Sequence, residues 1–131
     1  MKNILFIFSF ILLTFGTACN AQKGSSENVK KMAATEFQQK VAESTQILDV
    51  RTPGEYADGH LANALNINIA DADFKDKVAK LDKNKQVCVY CQRGMRSAKA
   101  AGLMSELGFK EIYDLEGGIE GWTGAGLKVE K

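Results

Sequence analysis

Seven consecutive residues, Cys91-Gln92-Arg93-Gly94-Met95-Arg96-Ser97, bring a thiol, two arginines and a glycine into one short stretch. The preceding Gln86 to Tyr90 reads as a buried strand, and Arg96 to Leu107 reads as a helix. Cys91 is therefore expected where a strand ends and a turn feeds a helix start. That position gathers the backbone N–H groups of Gln92, Arg93, Gly94, Met95 and Arg96, and the positive end of a helix dipole, around one sulfur atom. A thiol so placed titrates low and is largely thiolate at neutral pH, the condition for nucleophilic chemistry. Arg93 or Arg96 can add a guanidinium to hold an anionic substrate or leaving group.

A second thiol, Cys88, makes a Cys-x-x-Cys spacing with Cys91, as dithiol redox sites do. Those sites begin a helix, whereas Cys88 lies inside a strand. Residues three apart on a strand point to opposite faces and stand about 10 Å apart, too far for a disulfide. Cys88 is read as core. His60, within Gly59-His60-Leu61, suits a turn histidine bonded to nearby backbone better than a catalytic partner of the cysteine.

The elements that must position Cys91 follow from capping signals and periodicity. Thr35 with Gln38 three residues later predicts a capping box and a helix to about Ser44, with Phe37 and Val41 on one face. Gln46 to Val50 reads as a strand, and Thr52-Pro53 as an N-cap followed by proline at the first helical position. Ala64 to Ile69 has strand character. Asp71 is expected to cap the next helix, which buries Phe74, Val78 and Leu81. Gly108 reads as the glycine closing the helix after Cys91, Lys110 to Leu115 as a strand, and Gly117-Gly118 as the opening of a last turn around the core residue Trp122. Strands alternating with helices predict an α/β fold, a mainly parallel central sheet with helices on both faces. Ligands of such sheets bind beyond the carboxyl ends of the strands, where Cys91 lies.

The beginning of the chain reads differently. Lys2 followed by the uncharged, mostly apolar Ile4 to Phe15 is too short to span a bilayer comfortably and fits a signal segment. Gly16-Thr17-Ala18-Cys19 places small residues before a cysteine, which favours a lipoprotein signal (residues 1–18) with lipidation at Cys19; cleavage after Ala21 is the alternative. The chain is thus expected to be exported to the periplasm or cell envelope, meeting a membrane only through a lipid anchor at Cys19. Residues 19–31 read as a flexible tether and 32–131 as one folded domain. Removing Lys2 from 17 basic residues leaves them equal to the 16 acidic ones, and no basic block offers nucleic acid a surface. With Cys19 in the signal, two cysteines remain, which is no disulfide framework.

Three separated blocks carry a family likeness. Leu48 to Tyr56 with Gly59-His60-Leu61 and Ala64 to Ile67, then Val89 to Ser97 with Gly102-Leu103 and Leu107-Gly108-Phe109, and finally Leu115-Glu116-Gly117-Gly118 with Trp122, resemble in order the signatures of rhodanese-like domains. The resemblance implies a rhodanese-like α/β domain and sulfurtransferase chemistry: Cys91 carries a persulfide and residues 91–96 form the active loop. It also implies a small anionic sulfur donor such as thiosulfate, a thiol acceptor such as a thioredoxin-like protein (or cyanide in an assay), and no metal or organic cofactor. Asp49 and Arg51 match the polar pair near the first signature strand and are read, with Ser97, as supports rather than substrate contacts. Many single-domain members have Arg directly after the cysteine and Ser next, whereas this loop has Gln92 and Arg93. Two rivals stand beside this reading. A cysteine phosphatase or arsenate reductase needs Arg after five intervening residues, where this chain has Ser97. A non-catalytic persulfide carrier or thiol-redox module would use the same cysteine.

Overall fold

The structure, a computed structural model, describes residues 27–44 and 46–131. The signal segment, Cys19 and most of the expected tether lie outside these residues. Five strands form one wholly parallel sheet: β1 (Val29–Met32), β2 (Ile47–Asp49), β3 (Leu65–Asn66), β4 (Val87–Tyr90) and β5 (Ile112–Leu115), in the spatial order β1-β5-β4-β2-β3. Five helices accompany them: α1 (Ala34–Glu43), α2 (Pro53–Ala57), α3 (Phe74–Val78), α4 (Met95–Glu106) and α5 (Gly118–Gly124). The chain crosses the sheet one way from β1 to β3 and back from β3 to β5. Crossovers of one hand therefore send α1 to one face and α3 and α4 to the other.

Alternation along the buried strands splits the core in two. Val87, Val89 and Ile112 meet Phe74, Val78, Ala100, Ala101 and Met104 on the α3–α4 face. Cys88, Tyr90, Tyr113 and Leu115 meet Phe37, Ile119 and Trp122 on the α1–α5 face, where Phe37 and Trp122 pack edge to face at 6.4 Å. The Trp122 indole N–H donates to the Lys128 carbonyl at 2.9 Å. The reversal of strand order opens a crevice at the carboxyl ends of β2 and β4.

Three local expectations need correction. Val29 to Lys31, read as tether, belong to β1, which pairs with β5 from Val29↔Ile112 to Met32↔Leu115. The Asn28 amide donates to the Phe109 carbonyl at 2.6 Å and pins the strand's start. Its central lysines hid it from a periodicity reading, and charge is what an edge strand uses to deter further pairing. Helix α1 begins one residue before Thr35, with Ala33 as its N-cap and no side-chain cap. The Thr35–Gln38 capping box therefore has no helix end to close. Asp71 does not cap α3 either: that helix starts at Phe74 after Asp73, and both aspartates pair with Lys77 instead. The Thr52 cap is present as a full capping box with Glu55, and Pro53 begins α2. Gly108, with φ +97, ends α4.

Candidate active site

Cys91 leaves the end of β4 with its side chain buried on the α4 face. Its Sγ accepts a hydrogen bond from the Gly94 N–H at 3.0 Å and lies 3.5 Å from Ser97 Oγ. Burial pushes the thiol up, but Ser97's hydroxyl and the N–H groups of Ser97, Gly94 and Arg93 outweigh it and hold Cys91 below the ordinary thiol range. Cys88 shows the contrary case: on the opposite face, burial with little compensation raises it to about 11.

The loop presents N–H groups to the sulfur because its carbonyls are occupied elsewhere. Ile119 N–H donates to the Cys91 carbonyl at 2.9 Å, and Glu120 N–H to the Gln92 carbonyl at 3.2 Å. Both donors belong to the first turn of α5, whose free N–H groups need acceptors. Gly118, with φ +60, makes this contact possible, since a Cβ there would lie 2.4 Å from the Gln92 carbonyl carbon and oxygen.

Two residues beyond β2, Arg51 donates to both Asp49 oxygens at 2.7–3.1 Å, to the Gly59 carbonyl at 2.7 Å and to Gln92 Oε1 at 3.0 Å. The pair braces the sheet end and grips Gln92, the residue directly after Cys91. The Asn66 amide joins the same corner, donating to the Asp49 and Arg51 carbonyls. The other arginines also have dedicated carboxylates. Arg96 makes a two-pronged pair with Glu55 at 2.8 and 2.9 Å, and exposed Arg93 pairs with Glu120 at 3.2 Å. Arg93 or Arg96 was expected to hold an anionic substrate or leaving group; in the structure each guanidinium is paired with a rim carboxylate, and the charge of Arg96 still acts on Cys91. The anion cradle at Sγ is therefore made of backbone N–H groups together with the Ser97 hydroxyl.

Above the loop lies a cleft of about 490 Å³ lined by Cys91, Gln92, Arg93, Met95 and Arg96, with Met95 standing exposed at its rim. Next to it, Arg51, Glu55, Asp58, Gln92 and Glu120 line a second cleft of about 410 Å³. Among the described residues, no group of three or more His, Cys, Asp or Glu side chains is arranged to hold a metal ion. His60 stacks on Tyr56 at 3.8 Å and bonds its carbonyl through Nδ1, a turn role as its sequence context suggests.

A model of the rhodanese-like domain matches residues 33–125. The chain belongs to the rhodanese-like domain family. Among rhodanese-like relatives, the thiosulfate sulfurtransferase GlpE of Coxiella burnetii is 43% identical over 76 residues, spanning 58% of this chain and 69% of that protein. A tRNA uridine(34) hydroxylase of Cytophaga hutchinsonii is 36% identical over 94 residues, but only 30% of its length is covered. Among solved structures, a rhodanese-related protein of Thermoplasma volcanium superposes with a TM-score of 0.69 at 35% identity, covering 77% of this chain and 97% of the other. A rhodanese-like domain protein of Staphylococcus aureus gives 0.65 at 32%, covering 78% and 99%. The fold is thus the rhodanese-like α/β fold, with its five-stranded parallel sheet.

Three residues around the loop escaped the sequence reading. No local signal in the sequence marks Glu55 or Glu120 as partners of the loop arginines. Asp114 stood in an otherwise apolar strand, a signal that was there to be used.

The Glu55–Arg96 pair gives a pH test. Arg96 bonding, against a smaller opposing effect of burial and with help from the Thr52 N–H, holds Glu55 at about 2, below its ordinary 4.5. A carboxyl lowered by folding stabilises the fold above 4.5 and loses that contribution as pH falls toward 2. Glu55→Gln should therefore melt lower than wild type at neutral pH, with the gap closing as pH drops through this window. Both side chains face solvent, so the expected gap is about 1 kcal/mol or less and shrinks with salt. A gap that is constant with pH in thermal melts contradicts the assignment.

Proposed function

We propose that this rhodanese-like domain is a sulfurtransferase in which Cys91 carries sulfur as a persulfide. The observation that carries the reading is the thiol of lowered pKa at the end of β4, with Gly94 N–H on Sγ and a cleft above it. The relative named thiosulfate sulfurtransferase supports it. The Cys91 thiolate attacks the outer sulfur of a donor such as thiosulfate, the donor's S–S bond breaks, and sulfite leaves with the bonding pair. An acceptor thiolate then attacks the outer sulfur of the persulfide, and the Cys91 thiolate is regenerated. The N–H cradle offsets the repulsion of two anions in each half-reaction. Two covalent half-reactions give ping-pong kinetics. The acceptor is a thiol, with a thioredoxin-like protein as the macromolecular candidate. The cleft admits either donor or acceptor, and no metal or organic group is needed for either step.

Incubation with thiosulfate followed by intact mass measurement tests this: one added sulfur is expected, removable by a thiol or cyanide. Rapid turnover in the combined assay separates an enzyme from a carrier. A phosphatase reading lacks its arginine, since the residue at that spacing is Ser97, bonded to Asp114 at 2.6 Å.

We propose further that the domain is exported and held at an envelope membrane by a lipid on Cys19. Labelling with a fatty-acid analogue should mark the wild type and not Cys19→Ala, which should leave the membrane fraction. Unchanged membrane association of Cys19→Ala would replace anchoring with simple secretion.

A further inference from the structure

Asp114 is the one acidic residue of β5 and is almost wholly buried, facing α4. Its Oδ1 lies 2.6 Å from Ser97 Oγ, and its Oδ2 is buried with no hydrogen-bond partner among the described residues. Ser97 Oγ in turn lies 3.5 Å from Cys91 Sγ and 3.2 Å from the Gly94 carbonyl. A serine hydroxyl has one proton, so it cannot donate to the carboxylate and to the thiolate together.

This geometry admits two arrangements with the same total number of protons. With Asp114 ionised, Ser97 donates to Oδ1 and turns a lone pair to Cys91, which suits an S–H donor. With Asp114 protonated, Oδ1–H donates to Ser97, whose own proton is then free for the Cys91 thiolate. Passing from the first to the second moves the Sγ proton to Ser97 Oγ while the Ser97 proton moves to Oδ1. Only the second keeps a naked carboxylate oxygen out of the core, where an unpartnered charged acceptor is costly.

We propose that Asp114 takes up, across Ser97, the proton that Cys91 sheds, so that the site carries one negative charge rather than two. Asp114 is then a positioning residue that sets the ionisation of the nucleophile; this rests on Cys91 being the sulfur carrier proposed above. Burial holds Asp114 above the usual carboxylate range, against the Ser97 bond and the charge of Lys31. Lys31, on β1, is its register partner and is exposed. The partner on β4, Val89, is apolar, and Arg96 of α4 acts on Cys91 and binds Glu55. Among the described residues, no other group hydrogen-bonds Asp114 Oδ1.

Two groups sharing a proton titrate as a pair, and each shifts the other equally. The test therefore follows both. Infrared spectra of the full chain against pH, with Asp114→Asn as the blank, isolate the protonated carboxyl band of Asp114. The band should be present at neutral pH in wild type. In Cys91→Ala, which removes the thiolate, Asp114 should lose its proton at lower pH by about one unit or more, a tenfold change in proton affinity. In parallel, iodoacetamide alkylation of Cys91, read on its own peptide by mass spectrometry, should follow two steps with pH in wild type. It should follow one step in Asp114→Asn, whose amide donates to Ser97 but takes no proton. Ser97→Ala should alkylate about tenfold more slowly than Asp114→Asn at neutral pH, because the thiolate loses its hydroxyl donor. An absent band at neutral pH, or the same Asp114 titration with and without the Cys91 thiol, overturns the proposal; so does an alkylation profile unchanged by Asp114→Asn. Sulfur uptake by wild type is measured alongside. Uptake with independent titrations removes the shared proton alone, whereas coupled titrations without uptake remove the sulfurtransferase reading and leave the pair.

Discussion

Cys91→Ser will gain no mass from thiosulfate, and its turnover will fall at least about 10³-fold, because every covalent step passes through Sγ. The fold should survive, since a hydroxyl in place of the thiol still meets Gly94 N–H and Ser97 Oγ. Cys88→Ser should keep most activity. Its sulfur lies on the α1–α5 face, and its thiol, raised to about 11, stays protonated under assay conditions. Replacement by serine costs about 1–3 kcal/mol where the hydroxyl is left without a partner, and less here because Ser44 is within reach. Intact mass and steady-state rates on both variants decide the matter. Equal loss in a well-folded Cys88→Ser protein would point to a dithiol mechanism and away from a single carrier.

The placement of Cys91 was legible because three independent signals agreed. An apolar run ended at Tyr90, a helical period began by Arg96, and a glycine lay between them, so strand end and loop could be placed without tertiary knowledge. The opposed faces of Cys88 and Cys91 followed from the two-residue period of a strand. What the sequence withheld was partnership across the chain. Glu55 and Arg96 are 41 positions apart, and Arg93 and Glu120 are 27 apart, so no local pattern reveals that each rim cation has its own carboxylate. The same holds for β1, whose one strand neighbour among the described residues is β5. Two lysines in four residues argue for a loop unless that neighbour is known. Thr35 and Asp71 show the opposite failure, in which a valid local signal is overruled. The chain leaving β1 enters α1 at once, and the two aspartates before α3 are drawn into ion pairs with Lys77.

Arg51→Ala should be the most destabilising of the site substitutions, at about 3–5 kcal/mol, because it strands the Asp49 carboxylate in the core. That is a large part of the roughly 5–15 kcal/mol that holds a domain of this size together. Four hydrogen-bonding roles go with the guanidinium: both Asp49 oxygens, the Gly59 carbonyl and Gln92 Oε1. The backbone Arg51 N–H still donates to Asp49 Oδ1 at 2.9 Å, but one N–H cannot neutralise a buried charge. Removing both charges isolates the cause. Asp49→Asn combined with Arg51→Met should recover most of the stability, since an apolar or neutral filling avoids the stranded carboxylate. It should not restore the grip on Gln92, so the loop loses its brace from position 51 while the fold holds. Urea unfolding should then show the double variant near wild type, while Cys91 alkylation in that variant departs from the wild-type rate. A cost below about 1 kcal/mol for Arg51→Ala would mean that water reaches Asp49, as it does in exposed pairs. A double variant as unstable as the single one would place the cost in lost packing of the arginine stem rather than in charge.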